Sequence, residues 1–308
     1  MHQGPIVVVG SAVVDQTFRV GTLPLPGESA VADTVGHSLG GKGANQAAAV
    51  GMLGAPVLFL GCVGDDAGGR ETAEDLQRRG IDARLLVAAD VPTGHAAVVV
   101  DETGENQIAV HLGANARLTA EHVEAASDDI RGASVYVAQL EVPPDAVRAA
   151  LPVVREDEEA IAILNVAPLH EEAAELLPLF DVAVLNRVEA EMLAGVGIQN
   201  IDDALAAARG LKGLGVTDPV VTLGPAGAVC FDRGRVVHVP APQDLEVVET
   251  TGAGDAFVGA LACFLREGID VAESVLFAGR YAALAVTRPG TRDAYVDRAT
   301  LDAAFPPD

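Results

Sequence analysis

Short, continuous runs of β-branched and aliphatic residues recur along this chain, separated by stretches rich in Ala, Leu, Glu and Arg. Ile6–Val9, closed by Gly10, has no polar alternation, the pattern of a strand buried on both faces. Similar runs lie at 57–60, 135–137, 160–164, 182–185 and 220–223. Strand-like and helical stretches in alternation predict right-handed βαβ crossovers around a mostly parallel sheet. The 308 residues suit one large α/β domain with a small appendage. Half of them are hydrophobic, yet aromatics make up 4% and Trp is absent. The core is therefore expected to be built from Ala, Val, Leu and Ile.

Two segments break the alternation. Residues 12–36 carry Pro24 and Pro26 beside Gly27, and residues 84–111 carry a turn at Glu102, Thr103 and Gly104 between strand-like pieces at 96–101 and 107–111. Neither contains a long helix, so both are expected to form a small β layer projecting from the main sheet as a lid.

The formal charge of −24 repels nucleic-acid phosphates and anionic membrane surfaces, so neither is expected as a partner. Cys62, Cys230 and Cys263 are widely spaced in apolar surroundings, and read as buried hydrophobes in a reducing compartment. No basic segment precedes the first apolar run, and no stretch of about 18 apolar residues occurs. A cytoplasmic protein is expected.

The strongest chemical signal is Thr251-Gly252-Ala253-Gly254-Asp255, which leads through small residues into an apolar helical stretch ending near Leu265. A glycine-rich turn that opens a helix points several backbone N–H groups at one spot, and the helix dipole makes that spot attractive to anions. Asp255, at the convergence of those donors, is placed to accept the proton of an attacking hydroxyl. A second cluster, residues 40–47, also enters a helix. Here glycines permit close backbone approach, Asn45 offers a donor and an acceptor to a polyol, and Lys42 supplies charge. Gly36 to Lys42 matches the start of a phosphate-binding P-loop, but Gly43 replaces the Ser or Thr that holds magnesium. Gly252-Ala253-Gly254 begins a dinucleotide fingerprint, but Phe257 stands where the third glycine belongs. Both alternatives are rejected.

Taken in order, these two runs resemble the two signatures of the ribokinase-like (PfkB-type) carbohydrate kinases. Further matches span nearly the whole chain: Pro26-Gly27-Glu28, Gly64-Asp65-Asp66, Gly113-Ala114-Asn115-Ala116, Gln139-Leu140-Glu141, Asn186 with Glu189, Thr222-Leu223-Gly224 and Ala285-Val286-Thr287-Arg288. The resemblance implies a three-layer α/β/α domain with a mostly parallel central sheet and a β-sheet lid, through which two copies form a homodimer. It implies ATP-dependent phosphorylation of a sugar hydroxyl, with the amides of Gly252, Ala253 and Gly254 stabilising the transferring phosphoryl and Asp255 acting as base. Asp15, Gly41, Lys42, Asn45 and Glu141 match positions that contact sugar hydroxyls. Asn186 and Glu189 match an N-x-x-E element that organises magnesium through water; from the residues alone, a helix cap and a solvated face explain them as well. Thr222, Gly224 and Gly227 match the nucleotide-binding turn. Glu249, Thr251, Ala285, Arg288, Gly290 and Ala294 match the positions that hold a potassium-like ion.

Two departures qualify what the resemblance implies. Glu249 stands where Asp is usual, which moves the carboxylate of the monovalent-cation site. Val13 stands where ribokinases carry an Asn, two residues before the sugar-binding Asp15, which removes one polar contact to ribose. Ribose is the first acceptor expected, with a nucleoside, 2-deoxyribose or another sugar as the alternative. A non-catalytic ligand-binding regulator on the same scaffold is disfavoured by the intact Asp255 and its anion hole.

Overall fold

The computed structural model describes residues 4–103 and 105–306. Nine strands form one sheet in the order β13-β12-β11-β10-β9-β8-β1-β4-β5. They are β1 (Ile6–Val9), β4 (Val57–Gly64), β5 (Asp82–Ala88), β8 (Val135–Gln139), β9 (Ile161–Asn165), β10 (Val182–Asn186), β11 (Asp218–Thr222), β12 (Ala228–Asp232) and β13 (Arg235–Val239). From β11 to β5 every pairing is parallel, and the β11–β12 and β12–β13 pairings at the edge are antiparallel, which makes β12 the reversed strand. Alternate residues of β1 enter different cores, as the period-2 geometry of a strand requires. Ile6 and Val8 pack with helices Lys42–Met52 and Ala253–Arg266, whereas Val7 and Val9 pack with the helices on the other face. This makes the three-layer α/β/α sandwich.

A separate four-stranded sheet, in the order β3-β2-β6-β7, consists of β2 (Val13–Arg19), β3 (Thr34–Gly40), β6 (Gly94–Val100) and β7 (Asn106–His111). It draws on both segments singled out as breaking the alternation, but with different bounds. Residues 84–88 belong to β5, paired with β4 from Leu58↔Asp82 to Gly64↔Ala88. Ala83 and Leu85 pack into one core and Leu86 and Ala88 into the other, so β5 is covered on both faces and stays with the main sheet. At the other bound, β3 runs on to Gly40, directly before the Lys42 helix. The stretch that imitates a P-loop is therefore strand. In the β6–β7 turn, the Asp101 carboxylate accepts the Thr103 and Glu105 N–H groups at 2.9 and 3.1 Å; Gly104 lies outside the described residues.

Close helix packing brings the two glycine-rich runs together. A Cβ on Gly259 would lie 2.6 Å from Ala49 Cβ and 2.7 Å from the Gln46 carbonyl oxygen, so only glycine lets the Asp255 helix cross the Lys42 helix at this distance. That crossing sets Asn45 and Gln46 against Asp255.

Candidate active site

The Asp255 carboxylate is buried and held from two sides. Asn45 Nδ2 donates to one oxygen at 2.9 Å and Gln46 Nε2 to the other at 3.1 Å. Gln46 also donates to Asn165 Oδ1 at 3.0 Å and accepts from Gln139 Nε2 at 2.6 Å. A carboxylate clamped by two amides keeps its lone pairs aimed, because each bond restricts a different rotation.

Gly252, at φ 77°, caps the Asp255 helix, and the first intrahelical bond runs from the Ala256 N–H to its carbonyl at 2.8 Å. The Ala253 N–H faces the Thr250 carbonyl at 3.2 Å. With the Ala253 N–H engaged, the helical residues that keep an N–H for an anion in this first turn are Gly254 and Asp255, beside the Gly252 N–H of the cap. Gly254 lines a cavity of about 380 Å³ together with Ala253, Thr222, Gly224 and Gly227. Its far wall is apolar and built partly from small residues, including Gly279, Ala282 and Ala283. One slot thus joins the predicted nucleotide-binding turn to the predicted anion hole. Asn186 does not line it.

On the opposite side of Asp255, Glu141 receives the Ser11 hydroxyl and, at 3.0 Å, the Lys42 backbone N–H. Burial alone would depress the Lys42 ammonium, but the nearby carboxylates of Asp255, Glu141 and Glu189 outweigh it and raise its pKa. Asn186 and Glu189 form a reciprocal capping box, with Glu189 N–H to Asn186 Oδ1 at 2.9 Å and Asn186 N–H to Glu189 Oε2 at 2.8 Å. Burial pushes the Glu189 carboxyl up against the opposing pull of the Asn186 N–H and Lys42. Its second oxygen carries no hydrogen bond in that cap. Glu249 Oε2 accepts the Gly290 N–H at 2.9 Å, which ties two segments of the predicted monovalent-cation site together. Arg288 and Ala285 lie in the same turn, joined by an N–H to carbonyl bond of 3.3 Å, while Ala294 is buried two residues beyond Arg292. Thr251 directly precedes the Gly252 cap. Among the described residues, no group of three or more His, Cys, Asp or Glu side chains is placed to hold a metal ion. No helix of the described residues is long and apolar enough to cross a membrane.

Asp15 is half-buried on β2, and Val13, on the same face, is buried. Gly41 caps the Lys42 helix with φ 89°. Burial raises the Asp15 carboxyl to about 6; Glu141 and Asp255 reinforce the rise, while Arg292 and His37 oppose it. A carboxyl raised above its unfolded value of 3.8 contributes stability below that value, and loses it as the pH climbs through the folded value near 6. Asp15→Asn, which stays neutral, is therefore expected to match the wild type in melting temperature near pH 4 and to exceed it above about pH 7. Parallel melting-temperature curves across that window would contradict the assignment.

Several residues of the site have no role among those that the motifs imply. Gln46 is polar next to Asn45 at the point where the helix turns to a run of alanines, and that is its local signal. Arg292, Asp75, Gln139, Asn165 and Ser11 come together only through the fold, from positions distant in sequence.

Comparison with known proteins gives the family. Residues 4–298 match the pfkB family carbohydrate kinase description. The deoxyribokinase of Salmonella typhimurium is 35% identical over 292 residues, covering 94% of this chain and 95% of its own. The ribokinase of Schizosaccharomyces pombe is 32% identical, covering 97% of each. Among solved structures, the ribokinase of Giardia lamblia superposes with a TM-score of 0.91 at 27% identity over 98% of both chains. The Arabidopsis thaliana ribokinase complexed with ribose and ATP gives 0.87 at 31% identity over 99% of both. The match covers both glycine-rich runs, the sandwich and the small sheet, and the chain belongs to the pfkB family of carbohydrate kinases, phosphotransferases that act on an alcohol group.

Proposed function

We propose that this protein transfers the γ-phosphoryl group of ATP to a pentose hydroxyl, with ribose as the first acceptor and ribose 5-phosphate as the product. The observation that carries this reading is the position of Asp255, clamped by Asn45 and Gln46 on one side and adjoining, through Gly254, a nucleotide-sized slot on the other. The acceptor oxygen attacks the γ-phosphorus in line as the bond to the β-phosphate oxygen breaks and its electron pair leaves with ADP. Asp255 takes the hydroxyl proton, and the Gly254 and Asp255 amides face the charge spread over the phosphoryl oxygens. Asp15, Glu141, Asn45, Lys42 and the Gly41 backbone hold the sugar. Thr222, Gly224 and Gly227 hold the nucleotide, with Asn186 near its phosphates.

The donor set fits a hydrated magnesium ion: Glu189 keeps one carboxylate oxygen outside its cap, and magnesium retains several waters. Bound there, magnesium would neutralise the triphosphate. Glu249, reaching the Gly290 loop, fits a potassium-like ion with Thr251, Ala285, Arg288, Gly290 and Ala294 around it. The small sheet acts as a lid, and a second copy packs on it to form a homodimer in the cytoplasm. Ile108 and Val110, which share the Asp15 face of that sheet, are exposed apolar side chains that such a contact would cover.

A second acceptor, 2-deoxyribose, is favoured by one observation: Val13 lies on the Asp15 face and offers a sugar hydroxyl no partner. An unpaired buried hydroxyl costs about 1–3 kcal/mol, or about 5- to 150-fold in kcat/KM. The similarity to a deoxyribokinase supports the same alternative. Val13→Asn is expected to move the kcat/KM ratio of ribose to 2-deoxyribose toward ribose by a factor within that range. The test measures ADP release with ribose, 2-deoxyribose, other sugars and nucleosides, in buffers with and without magnesium and potassium. Turnover only with a hexose or a nucleoside would overturn the pentose reading, and an unchanged ratio in Val13→Asn would remove Val13 from specificity.

A further inference from the structure

Arg292 is 3% exposed and lies in the loop that follows the predicted cation-site residue Gly290. Its guanidinium reaches three separate elements. Nε donates to Asn45 Oδ1 at 2.8 Å, Nη1 donates to Asp75 Oδ2 at 2.9 Å in helix Ala67–Arg78, and Nη2 donates to the Gly40 carbonyl at the end of β3. Asp75 is itself secured: burial would raise its carboxyl, but hydrogen bonds from Arg79 and Arg292 outweigh this and hold it below the usual range. The fork is thus anchored on Asp75 and aimed at Asn45.

This settles the orientation of the Asn45 amide by elimination. A guanidinium can only donate, so the oxygen must face Arg292; a carboxylate can only accept, so the NH₂ must face Asp255. Without the guanidinium, the amide could turn over and set its oxygen against the Asp255 carboxylate, replacing attraction with repulsion beside the base. The same loop also reaches the anion hole, because the Tyr295 hydroxyl donates to the Gly252 carbonyl at 3.0 Å.

We propose that Arg292 is a positioning residue for phosphoryl transfer, which locks Asn45 with its NH₂ on Asp255 and thereby fixes the attack geometry of the acceptor hydroxyl. The proposal rests on the reading of Asp255 as the base. Arg292 acts through Asn45 on the acceptor side and is not among the residues that line the nucleotide cavity. Its charge also bears on Asp15, whose carboxyl it pulls down against burial. The charged groups that act on Asp15 are Arg292, His37, Glu141 and Asp255.

The test compares Arg292→Lys and Arg292→Gln, alone and combined with Asn45→Ala, using melting temperature, nucleotide KM, kcat and the acid limb of kcat/KM for the acceptor. Arg292 lines a polar cavity of about 470 Å³, so water can enter where the guanidinium is removed and the variants have a route to fold. Both single variants are expected to lose about 10- to 100-fold in kcat, the scale of a misplaced reacting group, with nucleotide KM within about twofold of wild type. Arg292→Gln is expected to move the acid limb to higher pH, whereas Arg292→Lys, which keeps the charge, leaves it in place. In the Asn45→Ala background, either Arg292 substitution is expected to add little further loss. Multiplying losses in that background, wild-type kcat in both single variants, or loss through melting temperature alone with kcat per folded molecule unchanged, would each overturn the proposal. If Arg292→Gln does not fold, the cycle is decided with Arg292→Lys. Failure of the Asp255 reading is a separate result: it would appear as retained turnover in Asp255→Asn, whatever the Arg292 variants do.

Discussion

Asp255→Asn is expected to lower kcat by about 10²- to 10⁴-fold, the usual worth of a positioned general base, while nucleotide binding and the melting temperature stay near wild type. An amide has the shape of the carboxylate, so the helix cap and the packing around it are preserved. It cannot take up the acceptor proton. The two amides that clamp the carboxylate, from Asn45 at 2.9 Å and Gln46 at 3.1 Å, would then face one oxygen and one NH₂ group. One of them must turn or lose its bond, which adds a small structural cost of about 1 kcal/mol. The measurement is kcat with saturating acceptor and ATP, alongside nucleotide titration of the variant. Turnover close to wild type would remove Asp255 as the base.

Gly252→Ala is expected to damage both stability and catalysis. Gly252 has φ 77°, a conformation that an L-residue adopts at a cost. An added Cβ would lie 2.3 Å from Thr291 Cγ2 and 3.1 Å from the Tyr295 hydroxyl, both on the loop that carries Arg292. Such overpacking costs about 1–3 kcal/mol, and relief requires the helix start or the loop to move. Either movement shifts the Gly254 and Asp255 amides from the place where phosphoryl charge develops. Loss of one such donor is worth about 10²- to 10³-fold in kcat. Gly254→Ala is the control, since a Cβ there meets nothing within 4 Å and the fold should be unaffected. A Gly252→Ala protein with wild-type melting temperature and kcat would show that the turn has more freedom than its geometry indicates.

Local features of the sequence marked much of the fold and of the candidate site. The apolar runs marked six of the strands in the large sheet, because strands buried on both faces need uninterrupted aliphatic residues. The two glycine-rich runs marked the helix starts, because a backbone that approaches another group closely, or takes a positive φ, cannot carry a side chain. Asp255 could be assigned a chemical role from its position at the end of such a run. The break in βα alternation marked the small sheet, though not where its first segment ends or its second begins. The apolar content of residues 84–88 reads alike as lid or core, and only their pairing with β4 separates the two.

What tertiary structure decided are the contacts between residues far apart in the chain. Asn45 reads in isolation as a ligand for a polyol; the fold gives its NH₂ to Asp255 and its oxygen to Arg292, across separations of 210 and 247 residues. Gln46 gains its meaning only where the two helices cross at Gly259, and Arg292 only where its loop meets β3 and helix Ala67–Arg78. The Asn186 and Glu189 pair, legible as a motif, proves to be a reciprocal helix cap, with one carboxylate oxygen outside it. Backbone requirements leave a local trace, because glycine, proline and hydrophobic period act within a few residues. A hydrogen-bond network leaves almost none, because an arginine on the surface and an arginine locked between Asn45 and Asp75 are the same residue until packing removes the water around one of them.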